Sequence, residues 1–291
     1  MRTPDRTAKS VLTMMCAAIS FGVMATFVKL ACRSIPSLEI VFFRSILGSI
    51  MIGAMIWKER VPWIGKNPKI MVLRGIFGFA ALSMHFYAIS KLNLGIAVML
   101  NYTAPIFVVI FARFALKERT TWIVKAAIFF SFLGLYLLGT PQFDVKPIAL
   151  LIGILSGISA AVAYVLIRFS SEEDSPYTII FYFTTISTIG SFPLLAFGFH
   201  WPNITEWLML LGVSVSAFFG QVWLTKSIQN APVSFVLPFS YLTPVFAAIL
   251  GALIWKEYLG MQSVVGGSII IASGIVIYLF REKTPFIPLE E

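Results

Sequence analysis

"NYTAP", residues 101–105, interrupts a long apolar run, and "FSYLTPVFAAILGALIWKE", residues 239–257, repeats the interruption. Pro105 lies within "GIAVMLNYTAPIFVVIFARFALKE", which otherwise reads as one continuous helix. A proline there removes a backbone hydrogen bond and crowds the preceding turn, at roughly 3 kcal/mol in a soluble helix. Shifted by 139 residues, 100–118 and 239–257 agree at six of nineteen positions: tyrosine, proline, phenylalanine, isoleucine, lysine and glutamate. A costly break written twice implies a duplicated chain in which the broken helix has a role.

The duplication extends outward. "AAISFGVMATFVKL" at 17–30 lies over "GISAAVAYVLIRF" at 157–169, setting Ile19 on Ile158, Ser20 on Ser159, Val23 on Val162 and Lys29 on Arg168. After one inserted residue, Pro36 meets Pro176. The environment of these copies follows from composition. The chain is 58% hydrophobic and 12% charged, with a mean hydropathy of +0.89. Soluble domains carry about 25% charge, so a water-facing fold is excluded.

A bilayer core needs about 20 apolar residues per helix. Ten such segments are predicted, near 11–31, 38–57, 70–90, 95–115, 122–140, 148–168, 176–198, 207–226, 231–254 and 262–280. The N-terminal run is too long for a signal peptide and lacks a small-residue cleavage site. With a cytoplasmic N-terminus, fifteen lysines and arginines collect on the inner side and five (Lys29, Arg33, Lys91, Lys146 and Lys256) on the outer. Basic residues mark the cytoplasmic side, so both termini are expected there. The seven tryptophans, Trp57, Trp63, Trp122, Trp201, Trp207, Trp223 and Trp255, are expected at helix ends or in short loops. Aromatic belts occupy that level. The net charge of +9 is thus read as orientation, not as a nucleic-acid surface. Cys16 and Cys32 are sixteen residues apart on one predicted helix, about 24 Å, and cannot form a disulfide.

Five spans per half is an odd number, so the second copy must be inverted relative to the first. Inverted repeats of this kind build transporters whose sites lie near the midplane between the repeats. Each half also ends in a Y-x-x-P helix, then "KE", then a glycine-containing last helix: Tyr102, Pro105, Lys117, Glu118, Gly134 and Tyr241, Pro244, Lys256, Glu257, Gly274. In these features the chain resembles the drug/metabolite transporter superfamily, in its ten-helix EamA-type exporter and permease branch. The resemblance covers roughly 10–281. It implies an all-α integral membrane fold of ten transmembrane helices in two inverted five-helix repeats, 8–140 and 148–281. It further implies alternating access around a cavity walled mainly by helices 1, 3, 4, 6, 8 and 9.

The proline breaks read either as packing kinks or as devices that expose backbone carbonyls with Asn101, Tyr102, Ser240 and Tyr241 to substrate. Pro105 and Pro244 are candidates with them, and Pro232 and Pro238 make the second copy the more distorted. Ser20, Met24, Ser159 and Tyr164 join the list from the paired first helices of the halves. Arg44 lies about six residues inside helix two, roughly 9 Å from its outer edge. Burying it costs about 2.5–3.5 kcal/mol. It is either a snorkelling interfacial arginine or a cationic contact for a substrate carboxylate or phosphate, and its repeat counterpart is Thr184. His85 shares one face of helix three with Arg74, Gly78 and Ala81, as a hydrogen-bonded core histidine or a protonatable cavity group. Glu118 and Glu257 are expected at gates or interfaces at opposite membrane faces.

No GxxxxGK(S/T), HExxH or GxSxG motif and no Cys/His cluster occurs, so neither ATP coupling, catalytic residues, a metal nor a cofactor is expected. No predicted span centre holds Asp or Glu. Small proton-coupled multidrug members of the resembled superfamily keep a glutamate in helix one, where this chain has "VLTMMCAAISFGVMATFVKL". The expected function is therefore secondary transport of a small polar or zwitterionic metabolite, an amino acid or related compound, in a bacterial inner membrane. The alternatives are a larger nucleotide-like or cofactor-like substrate such as S-adenosylmethionine or riboflavin, and a non-transporting membrane scaffold. The partners expected are the substrate and the lipid bilayer, with the chain a monomer or homodimer.

Overall fold

The computed structural model describes residues 4–92, 94–118, 120–139, 147–170, 174–197, 199–255 and 260–280. These residues are mostly helical, joined by short turns and loops, and no strand occurs among them. The helices are α1 (Pro4–Ala31), α2 (Ser37–Glu59), α3 (Pro68–Lys91), α4 (Leu94–Asn101), α5 (Ala104–Ala115) and α6 (Trp122–Gly139) in the first half. The second half contributes α7 (Pro147–Phe169), α8 (Pro176–Ser191), α9 (Ile204–Asn230), α10 (Val233–Val236), α11 (Leu242–Trp255) and α12 (Met261–Leu279). Short 3-10 segments follow α8 (Phe192–Phe197) and join α10 to α11 (Leu237–Tyr241).

Among the described residues, nine stretches are long and apolar enough to cross a membrane, and the shorter apolar helix Trp122–Leu138 makes the tenth span. The fourth span is α4 with α5, and the ninth is α10, its 3-10 segment and α11. Burial is inverted relative to a soluble protein. Phe114, Phe129, Leu253 and Leu279 are exposed, while Ser45, Ser156, Ser187, Ser214, Thr225 and Ser227 are wholly buried. Apolar side chains facing outward lose nothing in lipid, whereas backbone and hydroxyl groups must be satisfied within the bundle. Ser191 and Ser214 donate to carbonyls one turn back, at 2.6 and 2.7 Å, whereas the Ser45, Ser187 and Thr225 hydroxyls have no partner among the described residues.

Local sequence explains the helix starts. Asn67 and Ser175 accept from Ile70 and Tyr177 N–H groups at the heads of α3 and α8, each followed by a proline that needs no donor. Asn203 and Glu206 form a reciprocal capping box at the head of α9. That helix continues four residues beyond its predicted end. Trp223 thus lies seven residues inside α9, beside Phe219 at 5.5 Å between ring centroids, and not at the helix end as expected. Trp57, Trp122 and Trp201 are strongly exposed at helix ends or in a loop.

Packing pairs the halves. α1 lies on α9 and α3 on α7; α2 meets α9 as α3 meets α8; α1 meets α11 as α5 meets α7. α2 packs on α8 and α6 on α12. Exchanging the halves leaves this pattern unchanged, and it brings the two interrupted spans toward the centre of the bundle.

Candidate functional site

The fourth span is interrupted between Asn101 and Ala104. Tyr102 and Thr103 form a turn between α4 and α5, and Thr103 Oγ1 donates to the Leu100 carbonyl at 2.6 Å. Pro105 becomes the second residue of α5, where its missing N–H leaves no bond unmade. Gly157 of α7 lets this turn come close. A Cβ there would collide with Thr103 Oγ1 and lie 2.9 Å from the Leu100 and 3.3 Å from the Asn101 carbonyl oxygen. The carbonyls at the break thus pack against α7. Asn101 and Tyr102 at the break line the central cavity described below. The ninth span absorbs Pro232, Pro238 and Pro244 at the starts of three successive short segments.

A cavity of about 170 Å³ lies between these breaks. Of the residues singled out from sequence, Met24, Arg44, His85, Asn101, Tyr102, Pro105, Tyr164, Ser240 and Pro244 line it. Ser20, Ser159 and Tyr241 do not. The first helices of the halves present equivalent rows, Phe21, Met24, Ala25 on α1 and Ala160, Ala163, Tyr164 on α7. Ser20 and Ser159 stand one residue off those rows. Tyr241 is wholly buried behind Tyr102, with ring centroids 6.1 Å apart. It ends a 3-10 segment of three residues per turn, whose facing row differs from that of the α-turn at Tyr102. The α2 and α8 helices also reach the cavity, through Arg44 and Phe183, beyond the six helices expected.

The charge in this wall is one-sided. Arg44 is 4% exposed, in the cavity wall and not at the membrane surface. Arg74, noted in the sequence only for its spacing, is 2% exposed and lines the same cavity. Their guanidinium carbons lie 5.7 and 4.2 Å from the centroid of one ring, Phe183. Arg74 Nη2 donates to Gln221 Oε1 at 3.3 Å, whereas its Nε and Nη1, like Arg44 Nε, have no hydrogen-bond partner among the described residues. Gly78 makes room for this arrangement, since a Cβ would strike Arg74 Nη1 and lie 2.7 Å from the Phe183 ring. No Asp or Glu is among the described lining residues. His85 Nδ1 is also unpartnered. A charge inside a span is a functional-site signal in its own right, and by that rule Arg74 was legible; Phe183, Gln221 and Thr243 carried no comparable mark.

Beyond the cavity, buried polar groups tie the two halves together. Glu118 accepts from Val233 N at 3.1 Å, Ser234 N at 3.2 Å and Ser234 Oγ at 2.6 Å. Arg168 Nε lies 3.9 Å from Glu118, and its Nη1 donates to the Gln229 carbonyl at 2.6 Å. Gln229 in turn donates to the Asp174 carbonyl, and Ser227 to the Ser10 carbonyl. At the opposite end His200 N donates to Glu39 at 2.9 Å, and its ring meets Glu206 at 3.0 Å. Glu257 lies outside the described residues.

The sequence model of the EamA-like transporter family matches residues 8–140 and again 147–279. The pseudopaline exporter CntI of Pseudomonas aeruginosa PAO1 is 31% identical over 275 residues, which cover 94% of this chain and 97% of that protein. The S-adenosylmethionine uptake transporter of Rickettsia prowazekii is 26% identical over 254 residues, covering 85% and 84%. A solved crystal structure superposes with a TM-score of 0.83 at 16% identity, over 95% of this chain and 98% of its own, a likeness of fold.

Proposed function

From the chain's place as a member of the EamA-like transporter family, we propose that it is a secondary carrier for a small carboxylate-bearing metabolite, zwitterionic or acidic. The observation that carries this reading is the cavity between the two interrupted spans, with buried guanidinium groups and no acid among its described lining residues. Arg44 and Arg74 supply the cationic wall that attracts a carboxylate, while Tyr102, Phe21 and Phe86 help enclose the carbon frame. At about 170 Å³ the cavity is below the 300–1,000 Å³ usual for drug-sized ligands, which favours an amino-acid-sized substrate over a nucleotide-like one. S-adenosylmethionine also carries a sulfonium cation, which two arginines repel. The contact pattern that survives exchange of the halves supports treating 8–140 and 148–281 as inverted copies that rock about this cavity.

The test is flux in liposomes containing the purified chain. Saturable counterflow is expected without an imposed ion gradient, because the described cavity lining offers no carboxylate to carry a proton. Gradient-driven accumulation that disappears in His85→Gln, with exchange retained, would instead make His85 the coupling group. Tyr102→Ala is expected to slow uptake about tenfold at sub-saturating substrate, equivalent to roughly 1.4 kcal/mol. Tyr241→Phe should stay within about twofold, less than roughly 0.5 kcal/mol. Wild-type uptake by Tyr102→Ala would remove that residue from the site, and no flux with any metabolite favours the scaffold. The orientation reading, both termini in the cytoplasm of a bacterial inner membrane, has its own check. A C-terminal periplasmic reporter should be inactive and a cytoplasmic one active, and the reverse pattern overturns it.

A further inference from the structure

Two unpaired guanidiniums in one cavity ask for more than one carboxylate. Arg44 and Arg74 come from different spans, yet both lie against Phe183, so their charges can be no farther apart than the sum of those two ring distances. Each is more than nine-tenths buried. A carboxylate takes two N–H donors in a planar fork, and neither guanidinium has an acidic partner among the described residues. The remaining polar lining consists of neutral groups: Asn101, Tyr102, Tyr164, His85, Gln221, Ser240 and Thr243. No protein group among the described residues lining the cavity supplies the two negative charges that would settle the arginines. Like charges held this close repel one another in a low-dielectric site, an arrangement that persists at a binding site but has no merit as packing.

Resting on the carrier reading above, we propose that the substrate is a dicarboxylate, with one acid group held by Arg44 and the other by Arg74, and the carbon frame across Phe183. Arg74 is fixed in place by Gln221 and by the space that Gly78 leaves. Arg44 has no such tether among the described residues and adjusts to the second acid group. The cavity is then matched to a pair of charges at a set separation, and a monoacid of the same length leaves one guanidinium bare.

The experiment uses the purified full chain in detergent with a ladder of α,ω-dicarboxylates from malonate to pimelate. Monocarboxylates and α,ω-diamines of equal length, and inorganic phosphate, serve as comparison probes. Affinity is read from the thermal unfolding shift as a function of probe concentration. One or two neighbouring dicarboxylates are expected to bind about tenfold tighter than their monoacids, the size of one charge-assisted contact. The diamines should not bind. Arg44→Gln and Arg74→Gln should each reduce diacid affinity to the monoacid level, and Arg44→Lys should retain part of the preference. A second readout separates this role from a structural one. Without ligand, Arg44→Gln should unfold about 2 °C or more above wild type, because it removes an unpaired buried charge. A lower unfolding temperature identifies Arg44 as structural and overturns the assignment. So do equal shifts for diacids and monoacids, no shift with any probe, a preference that survives both substitutions, or tighter binding of phosphate than of every diacid. Flux measurements keep the two readings apart. Diacid binding without flux removes the carrier and leaves the site, whereas flux of a substrate with no diacid preference does the opposite.

Discussion

Gly134→Leu and Gly266→Leu are each expected to eliminate monodisperse, folded protein from detergent extracts. The α6 and α12 helices meet backbone to backbone at these residues. A Cβ on Gly134 would sit 2.6 Å from the Gly266 carbonyl oxygen; one on Gly266 would press on the Gly134 carbonyl and lie 2.7 Å from Leu138 N. These are main-chain atoms of packed helices and cannot rotate away. Overpacking a core by a few methylenes costs about 1–3 kcal/mol when neighbours can adjust. Here the helices must separate, and in lipid the contact rests on close van der Waals approach, with no hydrophobic drive to hold it. Gly274→Ala is the control, because its Cβ would meet only the Phe239 ring at 3.7 Å, and near-normal yield is expected. Size-exclusion chromatography of solubilised protein reads the outcome. A wild-type peak from either leucine variant would show that α6 and α12 need not touch here.

Glu118→Ala is expected to lower the unfolding temperature by about 6–12 °C, taking roughly 3 kcal/mol of lost stability at 2–4 °C per kcal/mol. The carboxylate is 8% exposed, accepts from two backbone N–H groups and a hydroxyl of the ninth span, and faces Arg168. Its removal strands those donors, at about 1–3 kcal/mol for each one left buried without a partner. It also removes the carboxylate 3.9 Å from Arg168 Nε. Glu118→Gln keeps the shape and one acceptor oxygen, so its loss should be smaller. Adding Arg168→Met to Glu118→Ala should cost less than the two single losses summed, since the contact between the two residues is already broken. An alanine variant that melts with wild type, or a double variant with fully additive losses, would separate Glu118 from the ninth span and from Arg168 energetically. The sequence marked this glutamate only as one of a "KE" pair near a membrane face. The groups that donate to it, on Val233 and Ser234, lie 115 and 116 residues away.

The duplicated motif shows how far sequence equivalence carries. Tyr102 and Tyr241 are matched in the repeat, yet one lines the cavity and the other is buried behind it. Gly134 and Gly274 are matched as well, yet Gly134 pairs with Gly266, which the motif does not include. In each case a local change of helix type or register gives the second copy a different neighbour. The cavity rows of α1 and α7 do keep equivalent positions, but the bulky residues have changed places between Phe21 and Tyr164.

By itself the sequence determined the solvent, the spans and the interruptions. Hydrocarbon tolerates only structures that satisfy their own backbone, so apolar length translates directly into helices. A proline must likewise end or displace the helix that contains it. The composition also showed that the span centres lack acids, because a missing residue type needs no coordinates. Only the tertiary structure decided which side of each helix faces the cavity and which charges meet there. Arg44, Arg74 and Phe183 lie on three helices drawn from both halves of the chain, and the rotation of each helix is set by its packing against neighbours. That packing depends on close approaches at Gly78, Gly157, Gly134 and Gly266, contacts between residues distant in sequence that no local pattern records.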